Sequence, residues 1–165
     1  MISAHGNSIR ALCKNLFNLD NKQISNLEIP TGNPLFIELN EKSKISKFEY
    51  LDKDWGDILA AADLVVSRAG ANIVYELLVL GKPNLLIPLS RKSSRGDQIE
   101  NANYAKKNGY SSVILEEDLD PEYFVSKIYK TWARLAEFRE HLTHFEAPNS
   151  VSIICEELHS YLQKN

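Results

Sequence analysis

Apolar residues recur along this chain with two different periods. Ile9, Leu12, Cys13, Leu16 and Phe17 fall three and four apart, the spacing of one helix face, with Asn7 or Ser8 as the expected N-cap. Residues 1–4 read as the end of a strand, residues 18–33 are turn-rich, and residues 35–39 read as a second strand closed by the polar stretch 40–44. From residue 47 short apolar runs and helical stripes alternate regularly. Strands are predicted over 48–51, 64–66, 84–89 and 112–115, and helices over 57–62, 71–80 and 97–107. The helix over 71–80 turns Ile73, Val74, Leu77 and Leu78 inward and stops at Gly81, with Pro83 forbidding continuation. Asp120 and Pro121 open one long helix with the stripe Phe124, Ile128, Trp132, Leu135, Phe138 and Leu142. A final helix starting near 149–150 carries Val151, Ile154, Cys155, Leu158 and Leu162. This alternation implies an α/β fold built on a single, mainly parallel sheet with helices on both faces.

Composition narrows the class. In 165 residues, 44% are apolar and 25% charged, a balance that supports a packed core and excludes a disordered tail. The net charge of −3 argues against a nucleic-acid surface as the main function. The two cysteines, Cys13 and Cys155, sit in separate helical patterns, so neither a disulfide framework nor a zinc cluster is expected, and no cofactor. No apolar run approaches the roughly 18 residues of a spanning helix, and a cytoplasmic location is expected.

Ligands of open α/β sheets bind beyond the carboxyl ends of the strands, against helix N-termini. Ser67-Arg68-Ala69-Gly70-Ala71-Asn72 lies at such a junction. Its small residues let backbone N–H groups approach a phosphate, and Arg68 adds positive charge. Glu76, further along the helix, has the chemistry to accept two hydrogen bonds from a vicinal diol. The next junction, Ser93-Ser94-Arg95-Gly96-Asp97-Gln98, offers Asp97 and Gln98 either as helix-cap residues or as partners of sugar hydroxyls. Two polar, glycine-bearing loops at one end of a sheet make a better site than either alone.

From Asp57-Ile58-Leu59-Ala60-Ala61-Ala62-Asp63-Leu64-Val65-Val66 through Ser67-Arg68-Ala69-Gly70-Ala71-Asn72, Glu76 and Gly81-Lys82-Pro83, the chain resembles the C-terminal domain of the MurG family. Leu86-Ile87-Pro88-Leu89 and Gly96-Asp97-Gln98-Ile99-Glu100-Asn101-Ala102 continue the resemblance, which runs from about residue 47 to the end. That family consists of GT-B-fold N-acetylglucosaminyltransferases that make lipid II from lipid I and UDP-GlcNAc. The resemblance implies the Rossmann-like, donor-binding half of a GT-B fold. It implies that Gly70, Ala71 and Asn72 line the diphosphate loop, that Glu76 holds the ribose hydroxyls, and that Asp97 and Gln98 face the GlcNAc hydroxyls. Nothing here matches the family's opening strand and glycine-rich loop, or its acceptor-binding domain.

The first residues resemble a different family. Ser3-Ala4-His5-Gly6-Asn7-Ser8-Ile9-Arg10-Ala11-Leu12, with Leu27-Glu28-Ile29-Pro30-Thr31-Gly32-Asn33-Pro34-Leu35, is similar to the C-terminal part of cofactor-dependent phosphoglycerate mutase. That resemblance covers residues 1–44 and implies that His5 corresponds to an active-site histidine beside the transferred phosphoryl group. The partner histidine loop and carboxylic acid of that mechanism have no counterpart here, which makes His5 a relic.

Together these resemblances predict a strand–helix–strand segment over 1–44 and a UDP-GlcNAc-binding domain over 45–165, packed as one domain. The function expected is donor binding for a hexosaminyltransferase of peptidoglycan-precursor type. Catalysis would need an acceptor domain, from a separate or membrane-associated subunit that also holds the protein at the membrane's inner face. Phosphate-ester binding at His5 and a folded but inactive chimera are the alternatives.

Overall fold

The structure is a computed structural model that describes residues 1–2, 6–29, 34–42, 44–51 and 55–163. His5 lies outside the described residues. Helix α1 (Gly6–Leu16) starts ahead of the expected caps, so Asn7 and Ser8 fall within its first turn, and it buries Cys13. A short helix the turn-rich composition conceals, α2 (Asn21–Ser25), follows. It is held by a reciprocal cap: the Asp20 carboxylate accepts from the Gln23 N–H at 2.7 Å, and the Gln23 side chain accepts from the Asp20 N–H at 2.8 Å.

Strands β1 (Leu35–Leu39) and β2 (Ile45–Tyr50) pair antiparallel in a two-stranded sheet of their own. The strand over 35–39, expected in the main sheet, therefore lies outside it. The connection explains this: Asn40 accepts from the N–H groups of Lys42 and Lys44 through its side chain, closing a tight turn. A connection that short joins antiparallel strands, whereas parallel neighbours need a crossover of roughly a dozen residues or more.

The main sheet follows. After α3 (Trp55–Ala61) come β3 (Val65–Ser67), α4 (Ala71–Val79), β4 (Asn84–Leu86), α5 (Asp97–Lys107) and β5 (Ser111–Val113). The three strands are parallel in the order β3-β4-β5. The chain start lengthens the sheet beyond β3: Ile2 bridges Val66 in parallel, and the Val66 N–H donates to the Met1 carbonyl at 2.8 Å. Alternate strand residues serve opposite faces. Val65, Leu86 and Val113 join one core with Leu59 of α3, Val74, Leu77 and Leu78 of α4, and Ala102 and Ala105 of α5. Val66, Leu85 and Ile114 form a second core, covered by Phe124 and Ile128. Both faces are buried, which is why neighbouring positions such as Val65 and Val66, or Leu85 and Leu86, are both apolar instead of alternating with polar residues.

The single long helix expected from residue 121 is two. Helix α6 (Pro121–Trp132) is capped by the Asp120 carboxylate, which accepts from the N–H groups of Glu122 and Tyr123 at 3.0 Å. The chain then turns at Ala133 and Arg134 into α7 (Leu135–Thr143). The break separates two packing duties: Phe124 and Ile128 of α6 cover the second core, while Leu142 of α7 belongs to the first. Trp132, expected in a continuous stripe, is instead 54% exposed. The last helix, α8 (Ser150–Gln163), forms where expected, but its apolar stripe has no buried residue. No helix among the described residues is long and apolar enough to cross a membrane.

Glycines stop α4 and α5 in the left-handed conformation, Gly81 at φ +61° and Gly109 at φ +74°. A Cβ on Gly81 would meet open space, whereas one on Gly109 would collide with the His141 imidazole, which packs on that turn. Gly81→Ala should therefore cost about 1 kcal/mol of unfolding free energy from backbone strain alone. Gly109→Ala should cost about 2–4 kcal/mol, because overpacking is added. Urea denaturation of both variants checks the difference, and equal losses would refute the His141 contact.

Candidate functional site

The carboxyl ends of β3, β4 and β5 meet on one edge, and three loops leave from it: residues 68–70 into α4, residues 87–96 into α5, and residues 114–115 into a short 3-10 turn, Glu116–Asp118. This edge brings together the residues singled out at the first two junctions.

Gly70 is the N-cap of α4 in extended conformation (φ −64°, ψ 147°), with no side chain to cap the helix. A Cβ there would touch only Ile73 at an ordinary 3.9 Å, so the fold itself does not demand glycine at this position. Its consequence is an open helix start, with Ala71 and Asn72 exposed in the first turn. Unsatisfied N–H groups and the positive end of the helix dipole make such a terminus attractive to anions. Asn101 of α5 holds the loop from behind, donating from its side chain to the Ala69 carbonyl at 3.0 Å.

Arg68 is not a free cation. Its guanidinium forms an ion pair with Glu116 at 2.7 Å and donates to the Ile87 carbonyl at 3.2 Å. The second Glu116 oxygen accepts from the Ser90 N–H at 2.9 Å. Arg68 and Glu116 therefore strap together the loops that follow all three strands. The Ser90 N–H holds the Glu116 carboxyl below the usual carboxylate range, with Arg68 acting in the same direction and partial burial opposing both.

Glu76 projects from the exposed side of α4 and accepts from the Trp55 indole N–H at 3.4 Å. Asp97 is exposed in the first turn of α5, where a carboxylate suits the helix dipole. Gln98 is half-buried, and its side-chain carbonyl accepts from the Leu89 N–H at 3.1 Å. Gln98 thus secures its own loop as well as standing beside it. An apolar hollow lined by Val74, Tyr75, Leu78, Tyr104 and Phe145 lies alongside and reaches this edge through Ala71 and Asn101.

The sequence pattern of the glycosyltransferase family 28 C-terminal domain matches residues 9–144. The chain belongs to that family. Its parallel sheet with helices on both sides is the Rossmann-like half of a GT-B fold. Among similar proteins, one from Clostridium kluyveri is 55% identical over 93 residues, 56% of this chain and 26% of the relative. One from Clostridium botulinum strain Hall is 40% identical over 146 residues, 87% of this chain and 41% of the relative. A third, from Clostridium tetani, is 39% identical over 123 residues, covering 74% and 34%. All three carry the name UDP-N-acetylglucosamine–N-acetylmuramyl-(pentapeptide) pyrophosphoryl-undecaprenol N-acetylglucosamine transferase. The chain spans about two-fifths or less of the length of these relatives.

The family match begins at residue 9, well ahead of the expected start near 47, and takes in most of the segment that resembles a mutase. The mutase-like and chimeric readings of residues 1–44 gain no support. In this glycosyltransferase domain the first helix and the hairpin belong to the matched unit.

Two participants escaped the reading of motifs. Glu116 sits just beyond the third strand, where the rule that placed the first two loops at the carboxyl edge would have found it. Trp55 opens the helix before β3 and carries no motif of its own.

The strap gives a pH prediction. The folded Glu116 carboxyl lies below its unfolded value of about 4.3, so its contribution is complete above that pH and is lost as pH falls through the folded value. Glu116→Gln should be less stable at pH 7 and should lose less stability on acidification below about pH 4.3. Urea denaturation across that range checks this; parallel pH profiles for the two proteins would contradict it.

Proposed function

We propose that this domain binds UDP-GlcNAc as the donor half of a hexosaminyltransferase of peptidoglycan-precursor type. The observation that carries the reading is the pairing, on one helix, of an open N-terminus at Gly70 with an exposed carboxylate at Glu76. Diphosphate and ribose are joined by one methylene, and α4 presents an anion-binding end and a diol-binding group along a single edge. The names of the relatives support the same donor.

In this reading Gly70, Ala71 and Asn72 receive the diphosphate through backbone N–H groups and the Asn72 amide. Glu76 accepts from the two ribose hydroxyls. Asp97 accepts from, and the Gln98 NH₂ donates to, the hydroxyls of GlcNAc. Arg68 acts mainly through the loop it holds, because Glu116 neutralises much of its charge. Anionic phosphates gather at a helix start without a metal in this scheme, and the leaving UDP is stabilised there as charge develops on its β-phosphate. Acceptor binding falls to another domain or to a membrane-associated subunit, which would also bring the donor half to the membrane surface.

Calorimetric titration with UDP-GlcNAc, UDP and 3-phosphoglycerate in parallel tests the proposal. UDP and UDP-GlcNAc should bind, and Glu76→Ala should weaken both by about tenfold or more, the loss of charge-assisted hydrogen bonds. Heat from 3-phosphoglycerate that disappears in His5→Ala would favour phosphate-ester binding instead. No UDP binding by a cooperatively folded chain would sink the donor reading.

A further inference from the structure

We propose that Trp55 is a positioning residue for nucleotide binding: its indole N–H holds the Glu76 carboxylate ready for the ribose diol. The proposal rests on the donor-site reading above and adds to it a residue outside the loops that carry the site.

The placement is enforced from below. Trp55 is the first residue of α3, and Leu59, one turn later, is fully buried in the core that also holds Val74, Leu77 and Leu78 of α4. Helices α3 and α4 thus share one apolar core through these residues. That packing brings two residues 21 positions apart in sequence to 3.4 Å, indole Nε1 to Glu76 Oε2. Trp55 is 38% exposed, so its ring lies at the protein surface beside the exposed Glu76.

The chemistry of the pair suits a diol. An indole offers one N–H donor and no acceptor, so it cannot compete with a carboxylate for the protons of the ribose hydroxyls. It is uncharged, so it holds Glu76 without neutralising it, as a lysine or arginine in its place would. A carboxylate has about four lone-pair sites. Among the described residues only Trp55 uses one, which leaves enough for one hydrogen bond from each hydroxyl. A glutamate side chain otherwise loses substantial rotamer freedom on binding, and an anchor present beforehand removes part of that cost. At 3.4 Å the contact is a long hydrogen bond.

Two measurements test this, one without ligand. The chain has two tryptophans, Trp55 and Trp132, so the ¹⁵N-labelled protein shows two side-chain indole resonances, and Trp132→Phe assigns them. The Trp55 indole resonance should shift in Glu76→Ala, which removes the acceptor, while the Trp132 resonance stays in place. The second measurement compares UDP with 2′,3′-dideoxy-UDP, which lacks the diol. Trp55→Phe, which keeps an aromatic ring and deletes the N–H, should weaken UDP by about 3- to 10-fold and dideoxy-UDP by less than about twofold. In the Glu76→Ala background, where no acceptor remains, it should add nothing. Equal losses for both nucleotides, losses that add to those of Glu76→Ala, or unchanged UDP affinity would each overturn the positioning role. A Trp55 indole that ignores Glu76 would overturn the contact itself. Should the wild-type chain bind no UDP while its Trp55 resonance responds to Glu76→Ala, the donor reading and the role built on it both fall, and the contact alone stands.

Discussion

Burial of both faces of a parallel sheet is the constraint on which the rest depends. The strands β3, β4 and β5 are three residues each, and every residue in them is buried. Val65 and Val66, Leu85 and Leu86, and Val113 and Ile114 divide between two cores. With both faces covered, groups that can reach a ligand lie at the edges, and at the carboxyl edge the strands hand over to helix starts with unpaired N–H groups. The candidate site is where it is because the sheet leaves it no other place of that kind.

An edge made of three separate loops would be loose without cross-connections, and this one is tied by side chains. Arg68 and Glu116 connect the loops after β3, β4 and β5. Asn101 fastens the first loop to α5, and Gln98 fastens the second to its own helix. Two of these residues, Arg68 and Gln98, were first candidates for touching a ligand. Their partners within the protein show that a residue of the right type at the right junction can serve the site by shaping it. Glu76 and Asp97, by contrast, remain exposed, and the helix start at Gly70 carries no side-chain cap.

Much of this was legible beforehand. Helices α4 and α5 begin and end close to where their apolar stripes, glycines and acidic first turns place them, and Asp120 caps α6 as expected. The departures have identifiable causes. The apolar stripe from Phe124 to Leu142 keeps its spacing across the turn at Ala133 and Arg134, so spacing alone could not reveal that its two halves serve different cores. Residues 35–39 have strand character in any sheet, and only the short Asn40 turn selects an antiparallel neighbour. Helix α8 has an apolar stripe typical of a buried helix, yet nothing among the described residues covers it.

What the sequence by itself determined is therefore local: the alternation of strands and helices, their caps and stops, and the two loops that open toward a ligand. These follow from steric preferences and hydrophobic periodicity that act over a few residues. What only the tertiary structure decided is pairing across distance: which core each helix serves, which strand takes β1, that Arg68 meets Glu116, and that Trp55 meets Glu76. A polar side chain has several acceptable partners. Which one it meets is set by the packing of apolar faces elsewhere, and no local pattern records that outcome.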